Sequence, residues 1–257
     1  MKAPETKIAL ELYTIRDFMK SESDFAKAME KTRKAGYEAV ELAGVSKDIP
    51  AKTIKKILDD NGLYCMATQD GLKELTDGLA KTIDDLKILE CNHTALAAGP
   101  ADMRSREGYI ELGRILSESG KKLKKEGIAL AYHNHAFEFE RYGDKTGFAL
   151  LYENSDPEFL EAKIDTAWVH KGGADVVWWI RKLADRMSVI HFKDYTIVEN
   201  EITLAEVGEG NLNWRAILEA CEATDLRWYV VEQDNCQRDQ FEAIKISYDN
   251  LIKMGVK

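Results

Sequence analysis

The stretch Leu130-Ala-Tyr-His-Asn-His-Ala-Phe-Glu-Phe-Glu140 joins an apolar, strand-like run to a tail holding two histidines, an asparagine and two carboxylates. An apolar strand hides its middle in a core, so titratable side chains at its end belong at a rim that water or a ligand can reach. Three later stretches have the same form: Ala162-Lys-Ile-Asp165, Val189-Ile-His-Phe-Lys-Asp194 and Trp228-Tyr-Val-Val-Glu-Gln-Asp234. Four apolar runs that each end in metal-ligand chemistry call for a scaffold that gathers those ends.

Outward from these runs, the whole chain alternates between two rhythms. Strand-like runs are expected at Lys7–Ile15, Tyr37–Ala43, Leu63–Thr68, His93–Ala98, Ile128–His133, Leu160–Asp165, Ser188–Phe192 and Arg227–Glu232. Between them lie stretches of helical periodicity, among them Pro50–Asn61, Leu72–Leu89, Glu107–Glu126, Ala174–Arg186 and Trp214–Ala223, with Phe241–Met254 closing the chain. Ser21 offers a helix cap, and Gly36, Gly62 and Gly127 offer stops. Strands alternating with helices imply parallel pairing through right-handed crossovers. Eight such units in 257 residues predict an α/β fold, a (β/α)8 TIM barrel, as a single domain over 1–257. A doubly wound sheet would open on a Gly-rich phosphate turn, and none follows the first strand. The long irregular segment Tyr195–Asn213 reads as a lid or a subunit contact, the latter pointing to a homo-oligomer.

A net charge of −9 without a basic stripe argues against nucleic acid and anionic membranes as partners. No apolar run is long enough to span a bilayer, and the N-terminal residues show no signal-peptide core, so the expected location is cytoplasmic. The four cysteines, at 65, 91, 221 and 236, form no Cys-x-x-Cys pair and read as reduced thiols.

In such a barrel the active site lies at the C-terminal ends of the strands. Candidates are His133, His135 and Glu138 or Glu140 from strand five, and Asp165 from strand six. His191 and Lys193 come from strand seven and Glu232 from strand eight, with Glu11 and Glu41 from strands one and two. His191 and Lys193, two apart, share one face of their strand. Glu11 and Glu41 read equally well as rim charges paired with basic neighbours. Trp178 and Trp179, mid-helix, read as core or subunit-contact residues, and Trp168, three past Asp165, as a substrate wall. Carboxylates from strands five, six and eight with one imidazole make an oxygen-rich set suited to Mn²⁺, Mg²⁺ or Co²⁺ and less to Zn²⁺. Without a cation, three clustered carboxylates repel one another. Lys193, by this reading, has no acidic partner in the core and is free to meet charge on a substrate oxygen.

Tyr132-His-Asn-His-Ala-Phe-Glu-Phe139, Lys163-Ile-Asp-Thr-Ala-Trp168, His191-Phe-Lys-Asp194, Val207-Gly-Glu-Gly210 and Val231-Glu-Gln-Asp234 together resemble the sugar phosphate isomerase/epimerase family of xylose isomerase-like barrels. The resemblance runs nearly end to end and includes Leu10–Asp17. It implies a metal site of Glu138, Asp165, His191 and Glu232, with His135 and Lys193 facing the substrate. Ketose 3-epimerases of this kind usually carry a His three residues after the metal Asp, where this chain has Trp168.

The chemistry implied is proton abstraction beside a carbonyl of a small carbohydrate, a keto-sugar or keto-polyol. Glu138 or Glu232 would act as base, Lys193 or His135 as donor, and Trp168, His133 and Glu11 would contact substrate. Returning the proton gives an isomerase or epimerase. Losing a β-substituent gives a dehydratase or lyase acting on an inosose or an oxidised glycoside. Endonuclease IV-like phosphodiester hydrolysis would need more metal ligands than five histidines readily supply, and a basic face. A non-catalytic sugar binder would need no ion.

Overall fold

The computed structural model describes Pro4 and residues 6–256; most of the N-terminal segment read for a leader lies outside the described residues. Eight parallel strands form one sheet: β1 (Ile8–Glu11), β2 (Ala39–Leu42), β3 (Tyr64–Asp70), β4 (His93–Leu96), β5 (Ala129–His133), β6 (Glu161–Lys163), β7 (Val189–Phe192) and β8 (Trp228–Val231). Their order around the sheet is β6-β5-β4-β3-β2-β1-β8-β7. Each neighbouring pair shares three or four residue pairs. The last seam, β6 to β7, is closed by a single parallel bridge, Asp165 to His191. There the His191 N–H donates to the Ile164 carbonyl at 2.8 Å. Just beyond, the Thr166 hydroxyl donates to the Lys193 carbonyl and accepts from its N–H. The result is the (β/α)8 barrel.

The outer helices pack their apolar faces on the sheet. They include α1 (Glu22–Lys34), α2 (Ala51–Asp60), α3 (Leu79–Leu89), α4 (Arg106–Lys124), α5 (Gly147–Glu153), α6 (Val176–Lys182), α7 (Trp214–Cys221) and α8 (Gln240–Lys253). Local chemistry starts them: Ser21, Ser105 and Thr146 accept from backbone N–H groups three residues on, each such cap contributing about 1 kcal/mol. Gly127, at φ 74°, makes the left-handed turn after α4 that a β-branched residue would resist. None of the described helices is long and apolar enough to cross a membrane.

Several elements differ from the sequence reading. The first strand stops at Glu11 and turns into a 3-10 segment, Leu12–Phe18, which carries the chain across the barrel mouth. The expected helix 72–89 is two, Leu72–Leu75 and α3, broken where Thr76 leaves helical geometry. The segment read as irregular, 195–213, contains an antiparallel hairpin, Asp194–Val198 with Glu201–Ala205. Trp179 is buried, whereas Trp178 is 52% exposed.

Inside the barrel the core is made mostly of small residues, Ala9, Ala39, Ala67, Val189 and Val230, with the one longer side chain of Met66. Stacked Tyr64 and Trp228 rings, 6.0 Å apart, adjoin it towards the N-terminal end. Small side chains at this level leave room above for long polar ones. Glu11, Glu41, Lys163, His191 and Glu232 are all buried.

Candidate metal centre and active site

Four side chains meet at the C-terminal mouth. His133 ends β5, Asp165 lies two past β6, His191 is in β7, and Glu232 follows β8 directly. One ligand atom from each lies within 4.8 Å of the others, and all four residues are buried. Glu232 Oε2 is the hub. It is 2.8 Å from His191 Nδ1, 3.0 Å from Lys193 Nζ and 3.6 Å from His133 Nε2. Asp165 Oδ2 is 2.9 Å from Lys193 Nζ and 3.5 Å from His133 Nε2.

The backbone around each residue aims its free atom inward. Asp165 caps the short helix Thr166–Lys171, its Oδ1 accepting from the Trp168 N–H at 2.9 Å, which leaves Oδ2 for the cluster. The Asp165 N–H donates to Asn134 Oδ1, so the residue between the two strand-five histidines anchors the end of β6. His133 Nδ1 lies 3.0 Å from the Ala97 carbonyl, which can only accept; Nδ1 therefore carries the hydrogen and Nε2 turns to the cluster. His133 Nε2 and Asp165 Oδ2 are buried without a well-directed hydrogen bond among the described residues. Two imidazoles and two carboxylates with ligand atoms this close fit a divalent cation. The cluster could hold His133, Asp165, His191 and Glu232 around one ion.

The set differs by one member from the expected ligands. Glu138 is not in the cluster. It lies in a 3-10 turn, Phe137–Phe139, where its carboxylate accepts from the Tyr132 hydroxyl at 2.7 Å and the His135 N–H at 2.8 Å. Burial outweighs those bonds and pushes its pKa up to about 7. His135 stacks between Phe137 and Trp168, at 5.2 and 5.7 Å. Burial, then the neighbouring His133 and Lys193, pull its pKa down to about 3, so the ring is neutral. His135 Nδ1, Trp168 Nε1 and Glu11 Oε2 are buried atoms without a hydrogen-bond partner among the described residues. Burial, followed by Glu232 and Glu41, raises the Glu11 carboxyl well above the usual carboxylate range.

The reading of Lys193 as free of acidic partners is corrected by the structure. Its Nζ, fully buried, also reaches Asp234 at 2.7 Å, so three carboxylates surround one ammonium. Desolvation opposes the charge, but Asp165, Glu232 and Asp234 hold the Lys193 pKa well above its ordinary value. The same contacts outweigh desolvation at Asp165 and Glu232 and keep both low. Glu11 and Glu41 are buried inside the barrel and not at its rim, though the basic neighbour expected under that alternative is present for Glu41. Glu41 pairs with Lys163 and lies 2.8 Å from His191 Nε2. Burial would raise its pKa, but Lys163 and His191 draw it down to about 2. His191, with a carboxylate at each ring nitrogen, has its pKa raised despite burial. Sequence reasoning did not single out Asn134, Lys163 or Asp234 as site residues. Asp234 was within reach, since it lies two past Glu232 in the run that ends strand eight.

The sequence profile of xylose isomerase-like TIM barrels matches residues 29–252. The chain belongs to that family. Among curated relatives, inosose dehydratase from Mesomycoplasma hyopneumoniae (strain 7448) is 31% identical over 96 residues, which is 35% of this chain and 29% of that protein. Inosose dehydratase from Salmonella agona (strain SL483) is 24% identical over 207 residues, 70% of this chain and 65% of that one. The chain thus matches less than two thirds of the length of either relative. A solved sugar phosphate isomerase/epimerase from Parabacteroides distasonis ATCC 8503 superposes with a TM-score of 0.82 at 23% identity, covering 100% of this chain and 98% of that one. L-ribulose 3-epimerase superposes at 0.72 with 17% identity, over 98% and 94%. At those identities the two structures speak for the fold alone.

Proposed function

We propose that this protein is a divalent-metal-dependent enzyme that removes a proton from the carbon beside a carbonyl in a small keto-sugar or keto-polyol. The carrying observation is the buried His133, Asp165, His191 and Glu232 cluster at the mouth of a xylose isomerase-like barrel. Two imidazoles in the set make Mn²⁺, Co²⁺ or Zn²⁺ better occupants than Mg²⁺. A bound ion would polarise the carbonyl and acidify the adjacent C–H.

The chain's own groups divide the remaining work. Glu138, poised near neutrality, is the better proton acceptor, because Lys193 and His191 hold Glu232 ionised and weakly basic. The C–H proton passes to the Glu138 carboxylate, and the C–H electron pair moves into a new C=C bond as the carbonyl oxygen becomes an enolate. A cation bound to Asp165 and Glu232 would relieve Lys193 Nζ of two of its three carboxylates and leave it to meet that oxygen's charge. Neutral His135 and Trp168 Nε1 offer unpartnered polar atoms to substrate hydroxyls. Return of the proton to carbon completes an isomerisation or epimerisation.

Inosose dehydratases among the relatives favour a second outcome of the same first step. There the enolate re-forms the carbonyl while a β-hydroxyl leaves, taking a proton to depart as water. Incubating the protein with keto-sugars and inososes in deuterated buffer with Mn²⁺ tests both. Deuterium at the α-carbon of recovered substrate or epimer supports isomerase chemistry, and an enone product supports the dehydratase. No exchange and no product with any of them, from a protein of verified metal content, would overturn the proposal.

A further inference from the structure

One level below the cluster lies a pair with no role in the chemistry above. Glu41, in β2, and Lys163, in β6, are both fully buried and face each other across the barrel interior. Glu41 uses its two oxygens differently. Oε1 takes the Lys163 ammonium, and Oε2 lies 2.8 Å from His191 Nε2. On the other side of the same ring, His191 Nδ1 points to Glu232 Oε2 in the cluster. The imidazole therefore spans from the buried pair to the metal centre.

We infer that Glu41, fixed by Lys163, is a positioning residue that sets the tautomer and aim of His191. A carboxylate only accepts, so Glu41 at Nε2 and Glu232 at Nδ1 both call for a hydrogen on the ion-free ring; an ion held between Nδ1 and Glu232 would take the place of the second hydrogen and leave Nε2–H to Glu41. Without that acceptor the neutral ring has two tautomers and no deep anchor. Carboxylates behind a ligating histidine characteristically change metal affinity by about 10–100-fold when removed. Lys163 has the complementary duty. It stops Glu41 from turning towards the ion as a competing ligand, and it offsets the cost of a buried charge. The inference rests on the metal reading of the cluster.

Removing Glu41 alone would strand a buried ammonium and could unfold the barrel, so the test uses charge-neutral doubles. Glu41→Met with Lys163→Met removes both charges; Glu41→Gln with Lys163→Met restores a neutral acceptor. Titration calorimetry with Mn²⁺ alone should show affinity about 10–100-fold weaker in the Met/Met protein, with most of it recovered in the Gln/Met protein. Nitrogen-15 NMR of histidine-labelled wild type loaded with diamagnetic Zn²⁺ should show His191 with its hydrogen on Nε2 alone, and a mixture of Nε2–H and Nδ1–H rings in Met/Met. Wild-type affinity in a folded Met/Met protein overturns the inference, as does equal weakness in both doubles. An Nδ1–H ring in wild type overturns it even if neither double folds. A wild type that binds neither Mn²⁺ nor Zn²⁺ sinks the metal reading itself, whereas binding that is equally tight in wild type and Met/Met sinks this inference alone.

Discussion

The end of β6 and the start of the hairpin after β7 each carry a buried aspartate, and the two have opposite fates. Asp165 satisfies one oxygen with a helix cap and leaves the other against Lys193 and His133. Asp194 has neither oxygen to spare. It accepts from the N–H groups of Tyr195, Gly208, Gly210 and Leu212 and from the Trp214 indole, pinning the Val207-Gly-Glu-Gly210 loop under the hairpin. Both residues stand at the end of an apolar run, and residue type does not separate them. The number of backbone donors folded around the carboxylate does: a saturated carboxylate builds structure, and one with a bare oxygen among cations is available to a ligand.

Asp165→Asn should give the largest effect. Asn keeps an oxygen for the cap but loses the charge, so metal content by elemental analysis should drop from one per chain towards none. Turnover should fall by more than the ~10²-fold typical of supporting residues. Full metal retention would place Asp165 with Asp194 on the structural side. Lys193→Met comes next. Three carboxylates lose their shared cation, so the metal-free protein should lose about 3–5 kcal/mol in denaturant titration, and added Mn²⁺ should restore part of it by mass action. Stability unchanged without metal would mean that the ammonium does not hold the carboxylates together.

Asp194→Ala should strip five donors of their acceptor and cost about 3 kcal/mol. That lowers Tm by roughly 6–12 °C while metal content stays at wild type. A loss of metal with an unchanged Tm would erase the contrast between the two aspartates. The last effect concerns Glu138, whose folded pKa of about 7 lies above the ordinary glutamate value of 4.5. A raised folded pKa means that the favourable protonated form is fully in place below the unfolded value and is lost as pH rises through the folded one. Stability should therefore decline between about pH 4.5 and 7, by at most ~3 kcal/mol for this group. Glu138→Gln should flatten that part of the profile, and an identical slope in the mutant would remove Glu138 as its source.

The barrel was readable from the rhythm of apolar runs because each strand is buried on both faces and each helix on one. Strand ends were readable as candidate positions for the same reason. The geometry gathers Asp165, His191 and Glu232 with His133, and Glu138 stands apart. Alternation can be followed only while the chain is extended; after His133 it enters a 3-10 turn, and the direction of Glu138 is then set by Tyr132 and the His135 amide. The three partners of Lys193 come from the ends of β6 and β8, and Glu41 meets Lys163 from across the barrel. Such contacts are products of closure, between residues as much as 122 positions apart, and no local pattern announces them. The hairpin at Asp194–Ala205 was hidden because its turn, Glu199-Asn200, takes positive φ without glycine.

The single bridge at the β6–β7 seam gives the site a mechanical meaning. Every other joint of the barrel is stitched by three or four residue pairs, and this one by Asp165 and His191, whose side chains also face the cluster. Whatever grips both works like a buckle on a belt. A ligand held by both side chains would add a stitch to the barrel's thinnest joint, and the His191 amide, bonded across the seam to Ile164, is where slower hydrogen exchange would report it.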